Sequence, residues 1–200
     1  MSATQGRTTN RVQRVPKLIY SYLASLDGYI TDDAGKFDWA EPDEEVLEFI
    51  NETERSVGTY LYGRKIYQMM IGWETDPSVA AQSPKSAEFA RIWQRADKVV
   101  FSSTLQEVST ERTRIERCFD LETVGTIKAS VDHDLAVSGA SLASTAWRMD
   151  LIDEVHLFIA PILVGGGQRM FPDQVRHPLE LLDERRFGNG MVFVRYTVTS

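Results

Sequence analysis

Cysteine is almost missing from this chain: Cys118 is the one thiol among 200 residues. That excludes an internal disulfide and a thiolate cluster for zinc, and it suits a reducing compartment. Histidine is scarce as well. His133, His156 and His177 are scattered singly, so no metal centre is expected. No apolar run reaches about eighteen residues and no charged-then-apolar leader opens the chain, so a cytoplasmic protein with no membrane span is expected. Basic residues are outnumbered, 22 Lys and Arg against 29 Asp and Glu, and the net charge of −7 argues against broad binding to nucleic acid or anionic membrane. Neither G-x-G-x-x-G nor G-x-x-x-x-G-K occurs, so neither a standard dinucleotide fold nor an NTPase is indicated. Redox chemistry, if present, needs a borrowed cofactor.

What the chain does contain suffices for one good core: 42% hydrophobic and 26% charged content imply a single domain. Residues 1–15, "MSATQGRTTNRVQRV", carry three arginines, no acids and no apolar periodicity. They read as a mobile tail ahead of a domain at 16–200. Lys17–Ala24 reads as a buried strand, and Pro42–Ser56 as a helix with Val46, Phe49, Ile50 and Thr53 at helical spacing. The strand "TYLYG" (59–63) runs into "RKIYQMM". A helix over 84–96, a strand over 98–103 and a strand-turn-helix over 134–153 follow, and "EVHLFIAPILVGGG" (154–167) ends on three glycines. Strands separated by helices predict a mainly parallel sheet covered on both faces, an α/β three-layer fold. "GNG" at 188–190, between two further strand-like runs, predicts an antiparallel C-terminal hairpin edge.

Three strand ends share a chemistry: "LYGRK" (61–65), "FSSTL" (101–105) and "VSGASLAS" (137–144). Ligands of open parallel sheets bind beyond the carboxyl ends of the strands. Small residues at Gly139, Ala140 and Ser141 let the backbone close on a diphosphate, Gly63 opens a similar turn, and Arg64 and Lys65 supply charge. Ser102, Ser103 and Thr104 offer hydroxyls.

"SLDGYI", "YGRKIY", "VVFSSTL", "GASLASTAWRMDLIDEVHLFIAPILVGGGQRMF" and "VFVRYTV" occur in this order. Over residues 17–199 the chain resembles the dihydrofolate reductase fold, in the branch of the C-terminal reductase domain of the riboflavin-biosynthesis deaminase/reductase. The resemblance implies NADPH binding and hydride transfer to a C=N-type centre of a pterin or ribosylaminopyrimidine. Genuine dihydrofolate reduction is the alternative within the class, and a non-catalytic nucleotide-binding module the alternative outside it. By the resemblance, Gly63, Arg64 and Lys65 open the cofactor-binding helix, and Ser102 and Ser103 lie near the adenosine 2′-phosphate. Gly139, Ala140, Ser141 and Leu142 hold the pyrophosphate, while Leu23 and Ile30 line the nicotinamide site, with Asp27 and Gly28 turning the loop between them. The chain departs from the pattern at Ser103, where many members of the riboflavin branch carry arginine, and at Ser21, where they often carry lysine. The deaminase half, marked by H-x-E and P-C-x-x-C, is absent. A homodimer is expected from the family's relatives.

Reducing a C=N bond requires a proton at nitrogen, and a carboxyl group in an apolar pocket can hold a substrate N–H and assist protonation. Among Glu41, Asp43, Glu44 and Glu45, which also complement the helix dipole, Glu45 stands four residues before Phe49 and shares its face. Counting from Trp39 instead selects Glu44. Glu45 is the expected catalytic acid and Glu44 its rival, with Trp39, Phe49 and Asp27 on the substrate side.

Overall fold

The computed structural model describes residues 14–199. Most of the predicted tail lies outside them, but Arg14 forms an ion pair with the buried carboxylate of Asp134. The chain opens with strands β1 (Leu18–Ser25) and β2 (Tyr29–Thr31), a 3-10 turn at Asp38–Ala40, helix α1 (Glu44–Glu54) and β3 (Val57–Gly63). Helix α2 (Arg64–Met70), two short helical segments, α3 (Gly72–Thr75) and α4 (Pro77–Ala80), and α5 (Pro84–Arg95) follow. Then come β4 (Asp97–Phe101), β5 (Thr113–Glu116), α6 (Leu121–Ala129), β6 (Asp134–Ser138), α7 (Ala140–Arg148) and β7 (Glu154–Ala160). The chain closes with β8 (Gln168–Arg169), β9 (Leu179–Arg186) and β10 (Val192–Val198).

Eight strands form one sheet in the order β5-β4-β3-β6-β1-β7-β10-β9. The first six run parallel, and β10 and β9 add on antiparallel. This is the predicted plan, and β2 and β8 pair separately. Alternation along the strands sorts side chains between two faces. On one face Leu18, Tyr20, Leu61, Val99 and Leu135 pack under Val124 and Ile127 of α6 and Ala143, Ala146 and Trp147 of α7. On the other, Ile19, Tyr60, Tyr62, Val100 and Ala136 meet Tyr67 of α2 and Trp93 of α5. Val46 and Ile50 of α1 pack there on Phe158, Phe187, Met191 and Phe193.

The element bounds differ from the sequence expectation at the ends. Pro42 stands outside α1, because the Asp43 side chain accepts from Val46 N at 2.9 Å and caps the helix. Helix α6, the one-turn helices α3 and α4 and strands β2, β5 and β8 are additions. The strands have four residues or fewer, and α6 buries only Val124 and Ile127, so neither leaves a strong periodic signal.

Candidate functional site

Register brings the carboxyl ends together. Gly63 pairs with Phe101, and Phe101 with Glu116, so the residues that follow, Arg64, Ser102 and Arg117, leave the sheet side by side. On the other side of β3, Tyr62 pairs with Ser138, which sets Gly139 beside Gly63. Gly139 has φ +105°, and a Cβ on it would lie 3.3 Å from Ile66 Cγ2 and 3.5 Å from Gly63 N. Only glycine fits that turn. At Gly63 a Cβ would meet open space, so the backbone there is accessible from outside.

The Ser102–Leu105 loop is organised from within and from both flanks. Ser102 Oγ accepts from Leu105 N at 3.0 Å. Arg64 Nη1 donates to Thr104 Oγ1 at 3.1 Å, and Arg117 Nη1 donates to the carbonyls of Ser102 at 2.8 Å and Leu105 at 2.7 Å. Two guanidinium groups therefore flank a loop of hydroxyl residues. Further along the edge, the Tyr22 hydroxyl accepts from Gly139 N, and burial pushes that hydroxyl up to about 12.

Next to β1, the turn after Ser25 holds Gly28 at φ +88°. The Asp27 carboxylate accepts from Val164 N at 3.1 Å and Gly165 N at 2.7 Å. Leu26 N donates to Ile162 O at 2.9 Å, so the glycine loop after β7 is fastened to the β1–β2 turn. The Ser25 hydroxyl first, then these amides, draw the Asp27 carboxyl down to about 2.

At the sheet's antiparallel side, Trp39 and Leu23 pack with Phe49 on the cluster under α1. Trp39 Nε1 is buried without an acceptor among the described residues. Phe49 sits edge-on to Phe158, Phe187 and Phe193. Glu45 accepts from Gly188 N at 2.9 Å and lies 3.4 Å from Arg185 Nη2, while the Arg185 guanidinium covers the Phe49 ring at 4.8 Å. A groove of about 640 Å³ between Lys17, Trp147, His177 and Thr199 lies at the opposite, amino end of the parallel strands and contains none of these residues.

The family model described as the RibD C-terminal domain matches residues 16–193. The chain belongs to the RibD C-terminal domain family. The Bacillus subtilis protein YyaP, itself uncharacterized, is 31% identical over 196 residues, with 94% of this chain and 97% of that protein aligned. Among solved structures, a candidate riboflavin biosynthesis protein of Shewanella sp. PV-4 superposes with a TM-score of 0.73 at 21% identity, covering 92% of this chain and 99% of that one. A pyrimidine reductase-like protein of Corynebacterium diphtheriae gives 0.67 at 14% identity, covering 92% of each chain. The Thermotoga maritima diaminohydroxyphosphoribosylaminopyrimidine deaminase/5-amino-6-(5-phosphoribosylamino)uracil reductase gives 0.63 at 15% identity; 92% of this chain matches 57% of that longer one. These likenesses establish the fold: α/β, with a mostly parallel sheet and an antiparallel edge.

In this RibD C-terminal domain the structure brings Gly63, Arg64, Lys65, Ser102, Ser103, Thr104, Gly139, Ala140 and Ser141 to one edge, while Leu142 packs against the core. Ile30 lies half-buried on β2, beside the Asp27 turn. Asp27 fastens the glycine loop to the turn it forms, with amides at Val164 and Gly165 on its two oxygens. One expectation changes. Glu45 shares a face with Phe49 as the spacing predicts, yet its side chain is 45% exposed and bound to the hairpin; Arg185 reaches it from β9 and replaces the apolar pocket expected. Glu44 is exposed on the first turn of α1. Sequence reading missed Tyr22, Arg117 and Arg185. Each belongs to no motif, and each acts through a partner distant in sequence: the turn before α7 for Tyr22, the loop after β4 for Arg117 and helix α1 for Arg185.

Proposed function

We propose that this protein is an NADPH-dependent reductase acting on a C=N-type centre of a pterin or ribosylaminopyrimidine, close in activity to the riboflavin-pathway reductases. The observation that carries the reading is the alignment of Arg64, the Ser102–Leu105 loop and Arg117 along one carboxyl edge, next to the paired glycine turns at Gly63 and Gly139. Guanidinium and hydroxyl donors beside open backbone fit the phosphates of a dinucleotide. In a −7 chain the two arginines beside this loop make a local cationic patch that favours a phosphorylated ligand. The family membership and the reductase neighbours point the same way.

Arg64, Thr104 and the backbone at Gly63 and Gly139 hold the phosphates in this reading, and Leu23 and Ile30 exclude water from the nicotinamide end. NADPH, when bound, supplies the hydride. The chain's own task is orientation and proton delivery. Glu45 accepts a substrate N–H or orients the water that protonates nitrogen, and Phe49 and Trp39 wall the pocket. Ser21, standing where riboflavin-branch members often carry lysine, leaves a phosphoribosyl group without that cation, so an unphosphorylated pyrimidine or a pterin is favoured.

No helix among the described residues is long and apolar enough to cross a membrane, in keeping with the cytoplasmic site we propose. The proposed homodimer uses β9. All eight of its residues are exposed, three leucines among five charged side chains; Leu179, Leu181 and Leu182, at 42–48%, lie on an edge strand whose outer side can take a second copy. Leu157, Phe158 and Ala160, by contrast, are buried in the chain's own core.

The test is to titrate the protein with NADPH while following tryptophan fluorescence and melting temperature, then to offer ribosylaminopyrimidine and dihydrofolate and record loss of the reduced-nicotinamide absorbance. Binding with turnover of either substrate supports the reading. Absence of any NADPH effect removes it, and binding without turnover favours the nucleotide-binding module.

A further inference from the structure

The groove at the amino end of the parallel strands takes no part in the reductase reading. It holds about 640 Å³, a volume in the range of small-molecule sites. Lys17 ahead of β1, the C-terminal end of α7 and the last residues of β10 enclose it. Strand β1 runs its full length between this groove and the turn after Ser25.

Trp147, in the groove wall, is 3% exposed. Tyr20 and Phe171 hold its ring edge-on, with centroids at 5.8 and 5.5 Å. The indole Nε1–H is buried with no acceptor among the described residues. A buried donor left unpaired forfeits its hydration without return, so an orphan in the wall of a groove is matched by an acceptor from outside. The His177 ring lies tilted by 40° against the indole, centroids 5.3 Å apart, and Pro16, Ile152, Pro178 and Val198 add apolar surface. Such a lining favours a flat ring.

The charges of the groove decide what that ring carries. Lys17 is committed to Glu154, and Asp153 to Lys128 at 2.5 Å. The Asp150 carboxylate lies 3.7 Å from His177 Nε2. Arg176 lines the groove, exposed, and forms no ion pair among the described residues. Its guanidinium is therefore the unmatched charge, and its planar fork fits a carboxylate or a phosphate.

We propose that this groove is a second ligand site, separate from the carboxyl edge, for a small aromatic anion. The ring lies against Trp147 and His177, an acceptor on the ring takes the Trp147 N–H, and the anionic group pairs with Arg176. The proposal goes beyond the reductase reading and does not depend on it.

The experiment titrates the protein, with and without saturating NADPH, with 4-hydroxybenzoate, 4-hydroxyphenyl phosphate and the uncharged 4-hydroxybenzamide. Heteronuclear NMR follows the four indole N–H signals, that of Trp147 being the one with Overhauser contacts to the His177 ring. Both anions should move the Trp147 signal with dissociation constants below about 1 mM, and the amide should bind about tenfold more weakly. The tighter of the two anions identifies the natural group as carboxylate or phosphate. Arg176→Ala should bring the anions down to the level of the amide and leave the amide within about twofold. Arg176→Lys, which keeps the charge and loses the fork, should fall between. A Trp147 signal that no probe moves at about 10 mM overturns the proposal, as do equal losses for anions and amide in Arg176→Ala. Expulsion of the probes by NADPH would place them at the carboxyl edge and overturn it too. A protein that binds no NADPH removes the reductase reading and leaves this one standing.

Discussion

The Tyr22 hydroxyl accepts the backbone N–H of Gly139, 117 residues further along the chain. It thereby ties β1, which leads to the loop proposed to face the nicotinamide, to the glycine turn proposed to hold the pyrophosphate. Tyr22→Phe should cost about 1 kcal/mol of stability and weaken NADPH several-fold by freeing the turn. The folded hydroxyl titrates near 12, above about 10 for an unfolded tyrosine, so its contribution is complete below pH 10 and lost as pH rises through 12. Melting temperatures across that range check this; an alkaline profile identical in the variant would show that the hydroxyl is not buried, and unchanged NADPH affinity would show that it does not hold the turn.

Glu45→Gln keeps an oxygen for Gly188 N and removes the charge that meets Arg185. Hydride transfer should fall by about a hundredfold, the low end for acid–base assistance, with NADPH affinity retained. Single-turnover kinetics at saturating NADPH separate the two quantities. Unchanged turnover would transfer the role to Glu44 or to water alone.

Asp27→Asn should loosen the glycine loop. The folded carboxyl titrates near 2, below about 3.9 for an unfolded aspartate, so its contribution is present above pH 4 and lost as pH falls towards 2. Hydrogen exchange at the Val164 and Gly165 amides should quicken in the variant at neutral pH. If both amides exchange at the wild-type rate, the fastening contributes nothing to loop order.

Glu54 sits under the sheet with its Oε2 accepting from the Tyr60 hydroxyl at 2.8 Å, and burial raises its carboxyl to about 7. The unfolded value is near 4.3. Its contribution to stability is therefore complete below about pH 4 and lost as pH rises through 7. Glu54→Gln, which keeps an acceptor without the charge, should stabilise the protein at pH 8 by roughly 1–3 kcal/mol. Urea unfolding at pH 5 and pH 8 measures it, and an equal effect at both would contradict the assignment.

Leu181→Glu on β9 replaces the most exposed of the three leucines on this edge strand with a charge. Sedimentation should show a dimer for the wild type and a monomer for the variant, each with the same melting profile by circular dichroism at low concentration. A monomeric wild type would dismiss the edge as an interface.

Much of the molecule was legible before its structure was known. The glycines at Gly63 and Gly139 mark strand-to-helix turns because a tight turn is a local event. Asn189 between Gly188 and Gly190 marks the hairpin for the same reason. The period of Val46, Phe49 and Ile50 named the buried face of α1 because helical geometry depends only on neighbours three and four residues apart. The candidate site was legible to the extent that its residues follow strand ends directly, as Arg64 and Ser102 do.

Other features depended on which strands lie side by side, and local signals do not specify that. Nothing in "TRIERC" announces that β5 adds next to β4 and sets Arg117 against the Ser102–Leu105 loop. Glu45 could be assigned to a helix face from spacing, but the Gly188 amide that holds it is 143 residues away, and only the return of β10 beside β7 brings that turn within reach. The sequence by itself determined the long elements, the parallel plan and the residues at the ends of β3 and β6, since these follow from short-range sterics and burial periodicity. The tertiary structure decided which side chains meet there, because strand order and register come from packing the whole core at once, and a guanidinium or a hydroxyl gains a role only from the partner that packing places within about 3 Å.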